Sequence, residues 1–128
     1  MTESLGEVEA FRPAEPEVLL DPAGLRDRRA LERVLYMAIQ DLLDVASYVL
    51  AEQGWRVPET YRAMIIDLGR HGVLPTEFAE KIAGMAGFRN VLEHEYRMLD
   101  TSLLYEYSTR REDFERFAGY ILEYADRV

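Results

Sequence analysis

The sequence predicts an all-α fold, an antiparallel helical bundle with short connections. Apolar residues recur at spacings of three and four through most of the chain, and no segment alternates apolar and polar residues as a strand would. The chain has 128 residues, 48% of them hydrophobic, which is enough to bury one core without disulfides. We therefore expect a single bundle domain over residues 23–128.

The first 22 residues are predicted to form an irregular acidic arm. Pro13, Pro16 and Pro22 stand in this segment among several Glu and Asp residues. A proline in a helix interior removes a backbone hydrogen bond and clashes with the preceding turn, so any helix here must be short.

The first long helix is predicted to begin near Asp21 and to end near Gln53. Asp21 can cap the helix, and Pro22 suits a first turn because its missing N–H needs no partner there. Gly54 is a typical residue just beyond a helix end. The predicted buried stripe consists of Leu31, Leu35, Ala38, Leu42, Val45 and Val49.

A second helix is predicted to start with Pro58 in its first turn and to stop at the glycines that flank Arg70 and His71. A third helix follows, with Thr76 as its cap and a kink allowed at Gly84 or Gly87. The buried residues of these two helices are predicted to be Tyr61, Met64, Ile65, Leu68, Phe78, Ile82, Met85 and Phe88.

The last part of the chain predicts two further helices. Asp100 is a good cap for a short helix through Tyr107. The final helix is predicted to bury Phe114, Phe117, Ile121 and Tyr124. Elsewhere, Trp55 is predicted to be a packing anchor and His71 a turn residue.

Charge and composition narrow the classes of function. A net charge of −9 argues against general binding to nucleic acid, so we expect no DNA partner and only local contacts with RNA. The longest apolar run is too short to cross a bilayer and the N-terminus lacks a signal-peptide pattern, so we expect no membrane association and a cytoplasmic location. The sequence has no cysteine and no known cofactor motif, and we expect neither cofactor nor metal.

The stretch "FRNVLEHEYRMLD", residues 88–100, holds the most specific pattern, in which Arg89, His94 and Tyr96 lie close in sequence. On a regular helix Arg89 and Tyr96 lie about 20° apart, whereas Arg89 and His94 lie about 140° apart. A helix break near the glycines, a wrapped arginine side chain, or a second chain across a two-fold axis could each bring Arg89 to His94.

Arginine and histidine without a metal fit phosphodiester cleavage by an internal 2′-hydroxyl. Histidine can move the proton near neutral pH, and arginine can neutralise the charge on the phosphate oxygens. The structural alternative is a capping or core histidine beside a surface arginine.

The segment "GFRNVLEHEY" resembles the signature of the HepT toxins of the HEPN superfamily, which is Arg, four residues, His, one residue, Tyr. The similarity extends through "LERVLYMAIQDLLDVASYVLAEQG" and "VPETYRAMIIDLGRHGVLPTEFAEKIAGMAGFRN", and it covers roughly residues 25–125.

This resemblance implies a homodimer with a metal-independent ribonuclease site at the dimer interface. Arg89 and His94 would be the catalytic pair, with Asn90 and Asp44 as supporting residues. Tyr96 would accept AMP from a partner, a minimal nucleotidyltransferase antitoxin of the MntA type.

Two functions follow from these observations. The first is a toxin of a type VII-like toxin–antitoxin pair, a ribonuclease neutralised by AMP transfer, and the intact Arg89, His94 and Tyr96 favour it. The second is a non-catalytic helical dimer that binds a nucleotide or a nucleotidyltransferase partner. Glu93 and the acidic balance favour the second, because a carboxylate beside the site opposes binding of RNA phosphates.

Overall fold

The computed structural model describes residues 2–11, 25–94 and 101–127, and every regular element within them is an α-helix. The predicted all-α class is therefore confirmed. The predicted caps Asp21 and Asp100 lie outside the described residues. In chain order the helices are α1 (Thr2–Phe11), α2 (Leu25–Glu52), α3 (Tyr61–Arg70), α4 (Thr76–Ile82), α5 (Gly84–His94), α6 (Thr101–Ser108) and α7 (Arg111–Arg127).

Helix α2 is the centre of the core and packs against α1, α3, α5 and α6. Its fully buried side chains are Leu31, Leu35, Ala38, Ile39, Leu42, Leu43, Ala46 and Leu50. Val45, predicted to be buried, is exposed, and Val49 is only partly buried. One helical turn of about 3.6 residues after the buried Leu42 ends between positions 45 and 46. Spacing alone therefore could not show which of Val45 and Ala46 is buried.

By length and composition alone, α2 over Arg28–Glu52 could also cross a membrane. However, 44% of its most apolar window is buried inside the protein, and the core helix of a folded bundle meets the same test. The packing of α2 against four other helices accounts for its apolar character.

Helix α2 ends close to the predicted position. Gly54 has a positive φ of 75°, a conformation that costs glycine little, and its N–H donates to the carbonyl of Ala51. Trp55 then packs against the core, and its ring stacks on His71 with 3.8 Å between centroids and 5° between planes. Trp55 is therefore a packing residue, as predicted, and His71 closes the C-terminus of α3.

The starts of α3 and α4 differ from the prediction. Helix α3 begins after Thr60, whose Oγ1 accepts a hydrogen bond from the N–H of Ala63, so Pro58 lies before the helix. Helix α4 begins directly after Pro75, and Thr76 is its first residue rather than its cap. Pro75 has a φ of −58° and a ψ of 139°, an extended conformation, so the first helical residue is the one that follows it.

The predicted third helix is divided in two, because α4 ends at Ile82 and α5 begins at Gly84. The break lies at Ala83, directly before Gly84, one of the two glycines at which the sequence allows a kink. A Cβ atom on Gly84 would lie 3.0 Å from the hydroxyl of Tyr107, so glycine allows α6 to approach closely. Phe88 stacks on Tyr107 with 4.5 Å between ring centroids, which joins α5 to α6.

Helix α7 buries Phe114 and Phe117 and packs Ile121 and Tyr124 partly against the core, as predicted. Asp113 in its first turn is also buried, and the ammonium of Lys81 lies 3.1 Å from its carboxylate. A buried carboxylate needs such a partner to offset its lost hydration.

The prediction of an irregular arm over residues 1–22 is wrong for Thr2–Phe11, which is helix α1. Leu5 and Val8 are buried against α2, so α1 belongs to the same core and the domain does not begin at residue 23. The prolines that motivated the prediction all follow this helix. Pro13 disfavours helical geometry in the residue before it, which fits an end at Phe11.

Helix α1 also contacts the far end of the chain. Arg111 at the start of α7 lies 2.8 Å from the carboxylate of Glu9 and 2.7 Å from that of Glu115. The hydrogen bonds to Glu115 and Glu9 raise the pKa of the Arg111 guanidinium above its usual value.

Candidate functional site around Arg89

Arg89 lies on α5 and directs its side chain toward α2, where the side chain is only 13% exposed. All three guanidinium nitrogens donate hydrogen bonds. Nε donates to Gln40 (2.7 Å), Nη1 to Asn90 (2.9 Å) and Glu93 (2.7 Å), and Nη2 to Glu93 (3.3 Å) and Tyr36 (3.4 Å). The side chain is therefore fixed in direction, despite its four rotatable bonds.

Two tyrosine rings also contact this guanidinium. Its central carbon lies 5.5 Å from the ring centroid of Tyr36 on α2 and 5.0 Å from that of Tyr61 at the start of α3. Both distances are within the range of a cation–π interaction, which is strongest where water is excluded. Arg89 is therefore held by residues of α2 and α3 as well as by its own helix.

Gln40 connects Arg89 to Asp44. While its Oε1 accepts from Arg89, its Nε2 donates to the carboxylate of Asp44 at 2.8 Å and to the hydroxyl of Tyr61 at 3.3 Å. Tyr36, Gln40 and Asp44 are spaced four residues apart on α2, so they follow one side of that helix.

Glu93 occupies the outer edge of the guanidinium. Its two carboxylate oxygens lie 2.7 Å and 3.3 Å from Nη1 and Nη2 of Arg89, and the Glu93 side chain is 40% exposed. A carboxylate paired to both nitrogens in this way takes the place that two oxygens of a phosphate group would take.

Two clefts include residues that contact Arg89 in their linings. One, of about 240 Å³, includes Arg33, Tyr36 and Glu93 in its lining, and the other, of about 400 Å³, includes Tyr61 and Asn90. The partners of Arg89 therefore line open space that could accept parts of a ligand.

The structure brings together three of the predicted site residues, Arg89, Asn90 and Asp44, the last of them through Gln40. His94 is the final residue of α5, but its side chain lies outside the described part of the chain, as does the whole of Tyr96. The helix break at Ala83 precedes Arg89, so it does not reduce the angle of about 140° between Arg89 and His94. A wrapped side chain or a second chain remains as the means of bringing them together.

Sequence reasoning missed Gln40, Tyr36 and Tyr61. A signal existed for two of them, because Tyr36 and Gln40 share the spacing of Asp44 on α2. Tyr61 was predicted to be a core residue, and it is partly buried with its ring against Arg89.

Comparisons with known proteins identify the family and the fold. The family described as Ribonuclease HepT-like matches residues 1–121. The tRNA nuclease HepT of Aphanizomenon flos-aquae (strain 2012/KM1/D3) is 31% identical over 74 residues, which make up 58% of this chain and 50% of that protein. The chain therefore matches about half the length of this relative.

Two solved structures share the fold. A tri-AMPylated HEPN toxin of Shewanella oneidensis in complex with its MNT antitoxin has a TM-score of 0.80 at 18% identity, over 95% of this chain and 90% of that chain. A toxin–antitoxin structure with AMP-PNP has a TM-score of 0.81 at 16% identity, over 94% and 90%. Since the family match runs from α1 into α7 and includes the Arg89 site, this chain belongs to the HepT-like ribonuclease family.

Proposed function

We propose that this protein is the toxin of a toxin–antitoxin pair and acts as a metal-independent ribonuclease. The observation that carries the proposal is the fixed, nearly buried guanidinium of Arg89, whose Nη edge faces the partly exposed Glu93. A guanidinium held in one orientation can neutralise charge on phosphate oxygens without reorganising during the reaction. The relative named a tRNA nuclease makes tRNA the first substrate to test.

In the proposed reaction the 2′-hydroxyl of a nucleotide attacks the adjacent phosphate and the 5′-oxygen leaves. His94 takes the proton from the 2′-hydroxyl and delivers it to the leaving 5′-oxygen, and Arg89 stabilises the phosphate oxygens as their charge increases. This gives a 2′,3′-cyclic phosphate and a free 5′-hydroxyl. Asn90 and Asp44 support the site through their contacts with Arg89 and Gln40.

We further propose that the active form is a homodimer, with His94 of one chain serving Arg89 of the other. Met37, Val45 and Tyr48 are exposed on α2, on the side that also carries Asp44. Exposed apolar side chains grouped on one side of a helix are typical of an interface between chains. Their position beside the Arg89 site supports a site shared by two chains.

The proposed antitoxin is a small nucleotidyltransferase that attaches AMP to Tyr96. One structural neighbour is a tri-AMPylated HEPN toxin bound to an MNT antitoxin, which supports a partner of this type. Both proteins would work in the cytoplasm, where tRNA and ATP are available.

RNA cleavage is expected to continue in excess EDTA, because this chemistry needs only protein side chains. The assay follows cleavage of tRNA, and of a single-stranded RNA oligonucleotide whose shape does not depend on Mg²⁺. A DNA oligonucleotide of the same sequence lacks the 2′-hydroxyl and should stay intact. Activity lost in EDTA and restored by Mg²⁺ on the single-stranded RNA would contradict the proposal.

A second candidate is a non-catalytic dimer that binds a nucleotide or a nucleotidyltransferase. The observation that favours it is the pairing of Glu93 with both Nη atoms of Arg89, which leaves that edge occupied. A substrate phosphate must displace this carboxylate before it can bind.

Glu93→Gln separates the two candidates. Removal of the charge is expected to tighten RNA binding by roughly two- to fivefold, since a partly exposed ion pair is worth up to about 1 kcal/mol. In a ribonuclease the variant lowers KM and keeps kcat, whereas a binding protein gains affinity and cuts nothing. Glu115→Gln is the matched control, because Glu115 pairs with Arg111 at the same spacing and 2.7 Å.

A further inference from the structure

The Gln40 amide lies between a group that can only donate and a group that can only accept. Arg89 Nε is a donor, and the ionised carboxylate of Asp44 is an acceptor. Only one orientation of the amide satisfies both, with Oε1 toward Arg89 and Nε2 toward Asp44. The carboxylate of Asp44 and the Nε–H of Arg89 thus favour the same orientation of the Gln40 amide.

We propose that Gln40 is the positioning residue for Arg89 and that Asp44 acts through it. The inference rests on the proposed ribonuclease function, in which the direction of the guanidinium determines the rate. Asp44 does not itself need to touch the substrate, because its contribution is to hold the Gln40 amide in the orientation that accepts from Arg89.

Among the partners of Arg89 on other helices, Gln40 makes the shortest hydrogen bond. Asn90 and Glu93 lie on α5 beside Arg89, so they orient the guanidinium only relative to its own helix. A bond to another helix adds a restraint from outside α5. Of the hydrogen bonds to α2, that to Gln40 is 2.7 Å and that to Tyr36 is 3.4 Å, so Gln40 provides the stronger one.

The first experiment compares Gln40→Met with Gln53→Met. These are the two glutamines of the sequence, and Gln53, the first residue after α2, accepts a hydrogen bond from the Tyr124 hydroxyl about 20 Å from Gln40 along the helix axis. Gln40→Met is expected to lower kcat by about 10- to 100-fold, the scale of a small misplacement of a catalytic group, with little change in KM. Gln53→Met should cleave RNA as the unaltered protein does.

The second experiment exchanges the amide of Gln40 and the carboxylate of Asp44 between the two positions. Gln40→Glu alone places two carboxylates in contact and should lower kcat about tenfold or more, since like charges this close repel. The double variant Gln40→Glu/Asp44→Asn again has one acceptor facing Arg89 and one donor behind it. It is expected to recover most of the lost kcat, which a general loss of packing at these positions would not allow.

A third measurement does not depend on activity. The Nε–H resonance of Arg89, assigned by its loss in Arg89→Lys, should exchange slowly with solvent in the unaltered protein and in the double variant, and quickly in Gln40→Met. Failure of the unaltered protein to cleave RNA would reject the proposed function, and the exchange rates would still test the positioning. Three results would each overturn the positioning role of Gln40. They are slow exchange in Gln40→Met, equal kcat in the two methionine variants, and a double variant no better than Gln40→Glu.

Discussion

Replacement of Arg89 or His94 by alanine is expected to lower the rate of RNA cleavage by at least about 100-fold, and to abolish growth toxicity. Loss of a fixed donor to a charged transition state costs about 100- to 1,000-fold, and loss of a general acid or base costs a similar factor. Arg89→Lys should also be strongly impaired, because a single ammonium cannot reproduce the contacts of the guanidinium with Gln40, Glu93 and Tyr36. Single-turnover cleavage of labelled RNA measures these losses.

The fold is expected to tolerate these changes, with melting temperatures within a few degrees of the unaltered protein, because Arg89 contributes polar contacts at the edge of the core rather than buried apolar surface. Arg116→Ala is the matched control. Arg116 also contacts aromatic rings, Phe78 at 4.5 Å and Tyr120 at 5.8 Å, but it lies on α7 away from Arg89. A parallel loss of fold and activity in the Arg89 variant would indicate a structural role.

Attachment of AMP to Tyr96 is expected to switch the ribonuclease off. Tyr96 follows Arg89 by seven residues, a spacing that a regular helix would bring onto one side. A phosphate group attached there would pair with the guanidinium and repel the phosphates of the RNA. We expect a cognate nucleotidyltransferase with ATP and Mg²⁺ to add one or more AMP units, and cleavage to fall as modification proceeds.

Tyr96→Phe tests the site of this modification, because it removes the hydroxyl and keeps the ring. The variant should accept no AMP, retain much of its cleavage activity and remain toxic in the presence of the nucleotidyltransferase. Mass spectrometry of the co-expressed proteins locates the added group. An unmodified Tyr96, or AMP on one of the other seven tyrosines, would reject the assignment.

The sequence predicted the helices from Leu25 onward well, because burial of an apolar face leaves a periodic pattern in the residues. It predicted their starts less well, since a start depends on which of several neighbouring residues supplies the cap, as with Thr60 and Pro58. Helix α1 was missed because the later prolines dominated the interpretation, although Leu5 and Val8 already had helical spacing.

For the site, the pattern and the family resemblance predicted Arg89, Asn90 and Asp44. They did not predict the residues that connect Arg89 to Asp44. The contacts of Arg89 with Gln40 and Tyr36 link residues 49 and 53 positions apart. Such contacts depend on how α2 and α5 pack, which local periodicity does not specify. The resemblance also could not predict that Glu93 would pair with Arg89, because that contact is a property of this particular sequence.

The stacking of Trp55 on His71 makes the intrinsic fluorescence of Trp55 a probe of folding. Trp55 is the sole tryptophan, and it lies beyond the C-terminus of α2, 15 residues after Gln40, so its fluorescence comes from a part of the bundle that the substitutions at Arg89, Gln40 and Glu93 do not touch. A shift in its emission therefore reports separation of the two rings and the loss of the folded state. Each variant could be checked for folding by its intrinsic emission, with no added dye, before its cleavage rate is measured.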